Sequence, residues 1–345
     1  MKAQLVGPDS ASWASVLRDR RHDFYHKPGY VTLSADREGG TPRALLVEDG
    51  PSGLFLPLVI RPIPGGGVDA ASPYGYPGPL AWGTPEPDFM REAFQAGIAL
   101  LRSERIVSLF VRLHPLLNAA APNIVPSTGV GTVVSHGDTV SIDLTRPSDE
   151  LWTETRLNHR RDITKAVRAG YVARLDETWE HFGTFVRQYR ETMERLGADE
   201  RYRFDEAYFM GLREALGSSL FLWLVENDEA IAASALFVET SGIVQYHLAG
   251  YDELHIKDRP KKLMINAVRS WAQQRGDTRL HLGGGVGAAY DSLMHFKAGF
   301  SDERHLFQTL RVVVDEDEYG RLVGARELSL DPADLEGFFP LYRIS

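Results

Sequence analysis

Apolar positions recur along this chain with two different periods. Short apolar runs at 43–48 and 53–60, separated by Asp49-Gly50-Pro51-Ser52, predict two strands joined by a turn. A loop rich in Gly, Pro and Tyr fills 62–84. Phe89, Ala93, Ala96, Leu100 and Leu101 then fall at helical spacing, which predicts a helix over 86–104. Residues 106–113 and 131–144 read as strands. Ser148 follows Pro147 as a helix cap, and from there the pattern predicts helices over 148–169, 178–196 and 205–216, with a strand over 171–175. Strands over 220–226, 229–239 and 242–249 follow in meander order. A helix over 260–275, a strand over 278–282, a glycine-rich turn, another helix and a strand over 304–314 complete the pattern. Helices intermix with antiparallel strands, so the fold class is α+β with layered mixed sheets. The change of pattern near 145–148 predicts domains at 1–145 and 146–314, with 315–345 as a C-terminal extension packing on the first.

The length of 345 residues agrees with two domains. A hydrophobic share of 43% and a charged share of 25% exclude disordered and fibrous classes. No run approaches the ~18 apolar residues of a membrane span, and mean hydropathy is −0.23. The first residues lack the apolar core of a signal peptide, so a cytoplasmic location is expected. With no cysteine, disulfides, thiolate metal sites and a cysteine nucleophile are excluded.

Net charge is −9, which argues against a general nucleic-acid binder. The distribution changes that picture. Arg161, Lys165 and Arg168 stand at i, i+4 and i+7 and share one helix face. Ile163, Ala166 and Val167 are expected to be buried opposite them, with Arg156, His159 and Arg160 adding charge at the edge. Only Asp162 offsets this run locally, so a solvated face and an anionic partner are both open. Lys257, Arg259, Lys261 and Lys262 form a second basic cluster.

The stretch from His281 to Lys297 runs from a strand through Gly283-Gly284-Gly285 into a helix. Backbone amides in such a turn suit a phosphate or an oxyanion. Gly283-x-Gly285-x-x-Ala288 formally fits a dinucleotide fingerprint, but no second parallel strand of a βαβ unit follows it. The glycines serve either a tight turn or close approach of a ligand. Lys297, beside Phe296, is either a surface charge or a phosphate contact next to a stacking face. On an exposed helix, removing its charge should leave stability almost unchanged. Tyr74 and Tyr76 sit on a backbone stiffened by Pro73, Pro77 and Pro79, as a structural loop or a substrate wall. His247 alternates along a strand as a core residue or a base. No HExxH, Walker, GxSxG or EF-hand pattern occurs, so metal and serine-hydrolase chemistry have no support.

Several segments in order resemble the FemABX aminoacyltransferases within the GNAT-like superfamily. They are Ser72-Pro73-Tyr74-Gly75-Tyr76-Pro77-Gly78-Pro79, Asn158-His159-Arg160-Arg161-Asp162-Ile163-Thr164-Lys165-Ala166, Tyr189-Arg190-Glu191-Thr192-Met193-Glu194-Arg195, Tyr246-His247-Leu248-Ala249-Gly250, the glycine run, and Asp291-Ser292-Leu293-Met294-His295-Phe296-Lys297. The resemblance implies two tandem GNAT-like domains of the acyl-CoA N-acyltransferase type. It implies transfer of an amino acid from aminoacyl-tRNA to the amine of a small metabolite or peptidoglycan precursor, with no other cofactor and no metal. Members receive the acceptor end of tRNA at a Phe-Lys pair, which Phe296 and Lys297 match. The residues singled out are Lys297, Phe296, His247 and Asp291 for catalysis, and Gly283, Gly284, Gly285, Arg161, Lys165 and Arg168 for the donor. Tyr74, Tyr76 and Arg160 are assigned to the acceptor. The short 196–204 connection departs from members with a long coiled-coil arm. An acyl-CoA-dependent N-acyltransferase is the rival reading, although 251–260 contains no glycine to cradle a pyrophosphate. A non-catalytic binding module of the same fold is a third.

Overall fold

The computed structural model describes residues 1–83, 87–118, 130–228, 230–325 and 337–344. The expected loop end at 84, helix start at 86, strand start at 229 and the 326–336 part of the C-terminal extension lie outside the described residues. The elements run β1 (Lys2–Val6), α1 (Ala11–Asp19), α2 (Pro28–Glu38), β2 (Thr41–Asp49), β3 (Ser52–Pro62), β4 (Val68–Ala71), β5 (Leu80–Trp82), α3 (Pro87–Ser103), β6 (Ile106–Arg112) and β7 (Thr132–Asp143). Next come α4 (Ser148–Glu154), α5 (Leu157–Arg168), β8 (Val172–Leu175), α6 (Phe182–Arg195), α7 (Glu206–Leu216), β9 (Leu220–Glu226), β10 (Ile231–Thr240) and β11 (Ile243–Tyr251). The last are α8 (Pro260–Arg275), β12 (Arg279–Gly283), α9 (Ser292–Lys297), β13 (Arg304–Val313) and α10 (Glu316–Gly324).

Two compact units result: Met1–Gly137 with Leu306–Ser345, and Asp138–His305. The division falls inside β7 and β13 rather than at 145 and 314, where the turns change the pattern but not the packing.

In the first unit the strands run β1-β2-β3-β4-β6-β13, with β5 on β3. β4 and β6 are parallel; the other pairs are antiparallel. Alternate side chains of β2 serve two cores. Leu45 and Val47 meet Phe94 and Leu101 of α3, while Ala44 and Leu46 meet Trp13 and Val31 from α1 and α2. The segment after β13 packs on this unit: Tyr319, Leu322, Leu341 and Tyr342 cover Val107. Buried Asp69 accepts from both Arg61 and Arg343.

In the second unit the order is β7-β12-β11-β10-β9-β8, with only β11 and β12 parallel. α8 buries Leu263, Met264, Ile265, Val268 and Ala272. α5 packs against α8, and α6 packs against β10 and β11. The helix expected over 148–169 is two helices, α4 and α5. They break at Thr155-Arg156, because Arg156 N donates to Gly299 O at 2.8 Å instead of continuing the helical ladder. The helix expected from 178 begins at Phe182, after a turn in which Asp176 accepts from His181 N at 2.9 Å.

Candidate active site

The site grows from a fork between two strands of the second unit. β11 and β12 pair only over Ile243–Gln245 and Arg279–His281. His281 Nδ1 lies 2.7 Å from Gln245 Oε1 at that last rung. Beyond it β11 continues along β10 and β12 along β7, so the two strands part. A bulge in β11 assists this: Leu236 faces Leu248 and Phe237 faces Tyr246, which leaves His247 as the extra residue. His247 is half-buried at the bulge, and burial raises the pKa of the neighbouring Tyr246 hydroxyl.

After β12 comes the glycine run, and the structure explains all three glycines by the chain itself. Gly283 has φ +74°, in the left-handed region. A Cβ on Gly284 would lie 2.8 Å from Asp138 O, and one on Gly285 would overlap Ala289 O. Close approach by a ligand is therefore not needed to account for the run. Asp291 ties this turn to α9: its Oδ2 accepts from Val286 N at 2.9 Å and its Oδ1 from Met294 N at 2.8 Å. That engagement makes Asp291 the cap of α9 and the anchor of the glycine turn.

Lys297 leans back over the turn, and its Nζ donates to Gly284 O at 2.7 Å. It is not the exposed charge expected, being only 8% accessible. Burial lowers its pKa to about 7, against a raising influence from Asp291 and with a further lowering one from Lys261. The expectation of an unaltered stability on removing it falls with its exposure.

α5 and α9 are locked by a histidine that looked like edge charge in the sequence. His159 is buried, and its Nε2 lies 2.9 Å from Phe296 O. Its ring packs edge-on against Phe300 at 4.9 Å. Burial lowers its pKa to about 4, so it is neutral near pH 7 and adds nothing to the basic face. Ile163 and Ala166 are buried as expected, but Val167 is 55% exposed because α5 presents only a narrow face to α8. On the outer face, Arg160, Arg161, Thr164, Lys165 and Arg168 line an open basin of about 590 Å³ with Trp152 and Leu157. Asp162 also lines the basin, and its carboxylate accepts from Lys262 Nζ at 2.7 Å. Among the described residues, none of the four basin cations has an ion-pair partner.

Residues 153–297 match the family described as Acetyltransferase (GNAT) domain. FemX, a solved structure, is similar over 93% of this chain and 99% of its own, with a TM-score of 0.71 and 12% identity. The fold is that of the GNAT acyltransferases. A conserved protein of unknown function from Bacteroides thetaiotaomicron VPI-5482 is also similar, covering 88% of this chain and 97% of its own at TM-score 0.56 and 12% identity. So is the C-terminal domain (DUF2156) of a putative lysylphosphatidylglycerol synthetase from Agrobacterium fabrum, over 92% and 94% at TM-score 0.55 and 11% identity. No curated protein matches in sequence.

The GNAT domain thus gathers Lys297, Phe296, Asp291, the glycine run, His247 and the α5 cations in one unit. Arg160, assigned to the acceptor from the sequence, lines the same basin as Arg161, Lys165 and Arg168, assigned to the donor. Tyr74 and Tyr76 belong to the other unit. There Tyr76 meets Phe307 edge-on at 5.2 Å, and Tyr74 O accepts from Tyr30 Oη at 2.9 Å. The same loop abuts a buried polar group that the sequence did not reveal: His114 Nε2 lies 2.9 Å from Asp23 Oδ2, with both side chains fully enclosed. Ninety-odd residues separate that pair, and no local pattern joins them. Among the described residues no acidic or histidine cluster suits a metal, and no helix is long and apolar enough to cross a membrane.

Proposed function

We propose that this chain is an aminoacyltransferase that takes its amino acid from aminoacyl-tRNA and passes it to the amine of a small metabolite or peptidoglycan precursor. The observation that carries the reading is the α5 basin, four cations without an ion-pair partner among the described residues, in a protein of net charge −9. Unpaired cations in an acidic protein suit a polyanion, and an RNA backbone is one. The resemblance to the FemABX enzymes and the likeness in fold to FemX support it.

The acyl-CoA alternative is favoured by the description of the matching family. The end of β11 opposes it. Residues Glu253–Asp258 form a 3-10 turn whose amides are already engaged: Leu254 N donates to Asp252 Oδ1, His255 N to Asp252 O and Arg259 N to Ile256 O. Two carboxylates, Glu253 and Asp258, stand in that turn, so its backbone forms no amide nest of the kind that cradles a pyrophosphate in acyl-CoA enzymes.

In the proposed reaction the acceptor nitrogen attacks the ester carbonyl, the new C–N bond forms and the ester C–O bond breaks. The amine proton ends on the departing tRNA hydroxyl through the substrates. An ester is already activated, so the protein supplies position and charge stabilisation. Lys297 has three N–H donors and Gly284 takes one; another, turned towards the ester oxygen, would meet the negative charge that develops there.

Incubation with charged tRNA and candidate amines, with products identified by mass, tests the reading. Arg161→Gln, Lys165→Gln and Arg168→Gln combined should lower the salt dependence of tRNA binding by about 3 in log–log slope, at roughly 0.9 per lost phosphate contact. Salt-insensitive acetyl transfer from acetyl-CoA would overturn it. The acceptor wall has its own test. Tyr74→Phe with Tyr76→Phe should raise the acceptor KM at unchanged kcat if both hydroxyls bind it equally in ground and transition states. An unchanged KM would make the loop purely structural.

A further inference from the structure

We propose that Arg195 and Lys261 form an anion site at the end of β11 that takes a phosphodiester of the donor. This rests on the aminoacyl-tRNA reading and deepens it, because it moves the phosphate contact away from Lys297.

The geometry starts from Tyr251, the last residue of β11, which is buried at 8% exposure. Arg195, at the end of α6, holds its guanidinium 4.7 Å from the centre of that ring. Lys261, in the first turn of α8, holds its Nζ 4.4 Å from the same centre and 5.7 Å from that of Phe296. Ring faces attract cations, which fixes both groups without using their N–H donors. Those donors are then unspoken for. Arg195 Nη1 is buried and has no hydrogen-bond partner. Among the described residues its one ion-pair partner is Glu253 at 3.7 Å, on a side chain that is 72% exposed and so well screened.

Lys261 has no ion-pair partner among the described residues. The next residue makes the contrast, for Lys262 is bonded to Asp162 at 2.7 Å. Burial lowers the pKa of Lys261 to about 8, with Arg195 adding to the effect. Lys261 in turn lowers that of Lys297. Three cations thus crowd one end of the GNAT fork, with Asp291 engaged in capping and Glu253 in solvent. Such crowding is unfavourable for the empty protein and is relieved by a bound anion. Lys297 cannot readily serve that anion while it is turned inward onto Gly284. Arg195 and Lys261 are held by side chains alone, so this is not an amide nest of the pyrophosphate kind. Phe296, under Lys261, leaves a neighbouring base a ring to stack on.

The test uses the full chain, first with inorganic pyrophosphate and then with a short single-stranded RNA oligonucleotide. In protein labelled with 13C-lysine, pyrophosphate should shift the Lys261 side-chain signals and raise its pKa. Lys261→Met should weaken oligonucleotide binding about tenfold and lower its salt slope by about 0.7, the value for one contact on a single strand. Lys261→Arg, which keeps the charge over the rings, should recover most of both. Equal binding by wild type and Lys261→Met overturns the site. If charged tRNA supports transfer but Lys261→Met leaves the donor KM and salt slope unchanged, the site fails and the aminoacyltransferase reading stands. If pyrophosphate titrates Lys261 but no aminoacyl transfer occurs, the site stands and that reading fails.

Discussion

Lys297→Met is expected to make the protein more stable at pH 6 and slower in transfer, two effects of one buried ammonium. The lysine is almost fully enclosed, and burial lowers its pKa from 10.5 to about 7. Between those values the unfolded chain binds the proton more tightly than the folded one. Wild-type stability therefore rises as pH climbs from 7 to 10.5, and the full penalty, about 5 kcal/mol, applies below 7. Methionine avoids the penalty and fills most of the space, but leaves Gly284 O without its donor, a loss of about 2–3 kcal/mol. The variant should gain about 2 kcal/mol at pH 6, the order should reverse near pH 9, and the wild type should lead by about 2–3 kcal/mol above pH 10.5, where a neutral lysine still donates. Thermal unfolding of both proteins across that range measures the crossing. In the same variant the donor kcat/KM should drop roughly ten- to hundredfold, as expected for one charge-assisted contact in the transition state. Parallel stability curves would contradict the buried ammonium, and equal single-turnover rates would remove Lys297 from the reaction.

Gly250→Ala is the second large effect, and it is expected to cost about 3 kcal/mol of stability. Gly250 lies on β11 where α6 comes down on the sheet. A Cβ there would overlap the backbone of Gln188 and Tyr189, which cannot swing aside as a side chain would. The helix is also held by polar bonds at this level. Gln188 donates to Ile231 O at 2.7 Å and accepts from Ser234 Oγ at 2.6 Å, while Tyr251 N donates to Thr192 Oγ1 at 3.2 Å. Lifting α6 would strain all three and carry Arg195 away from Tyr251. Urea unfolding should show the loss at an unchanged m-value. A cost below about 1 kcal/mol would mean that α6 has room to move.

These effects separate what the chain's pattern reveals from what only its folding does. Helix α8 occupies the 260–275 expected of it, and β2, β3, β6, β9 and β11 lie within the expected runs or a residue or two of them. Each of those elements announces itself through near neighbours: apolar period, turn residues, Pro260 at the helix start and Gly276 after its end. α2 carried the same signals, with Pro28 first, Gly39 after the last residue and Tyr30, Val31, Ser34 and Ala35 buried at helical spacing. Its lead-in Lys27-Pro28-Gly29 resembles a turn, which hid it. The lean of Lys297 towards the glycine turn was also legible, since it follows from helix geometry. Its burial was not, nor was that of His159, because α5 and α9 meet through residues 137 apart. The break between α4 and α5 has the same origin, in a bond from Arg156 to Gly299. A charged residue's surroundings are set by such distant partners, and a count of neighbouring charges along the chain does not contain them.

The insertion of β13 beside β6 has a consequence for how the molecule is made. β13 completes the strand order of the first unit, pairing Thr309–Val313 with Ser108–Arg112, yet all of Asp138–His305 comes between those strands in the chain. On a ribosome, which delivers the N-terminus first, the GNAT domain emerges whole before the first unit has its closing strand. The later-encoded unit is then free to fold ahead of the earlier one. Until β13 arrives, β6 keeps an unpaired edge, the kind of surface that nascent-chain chaperones shield.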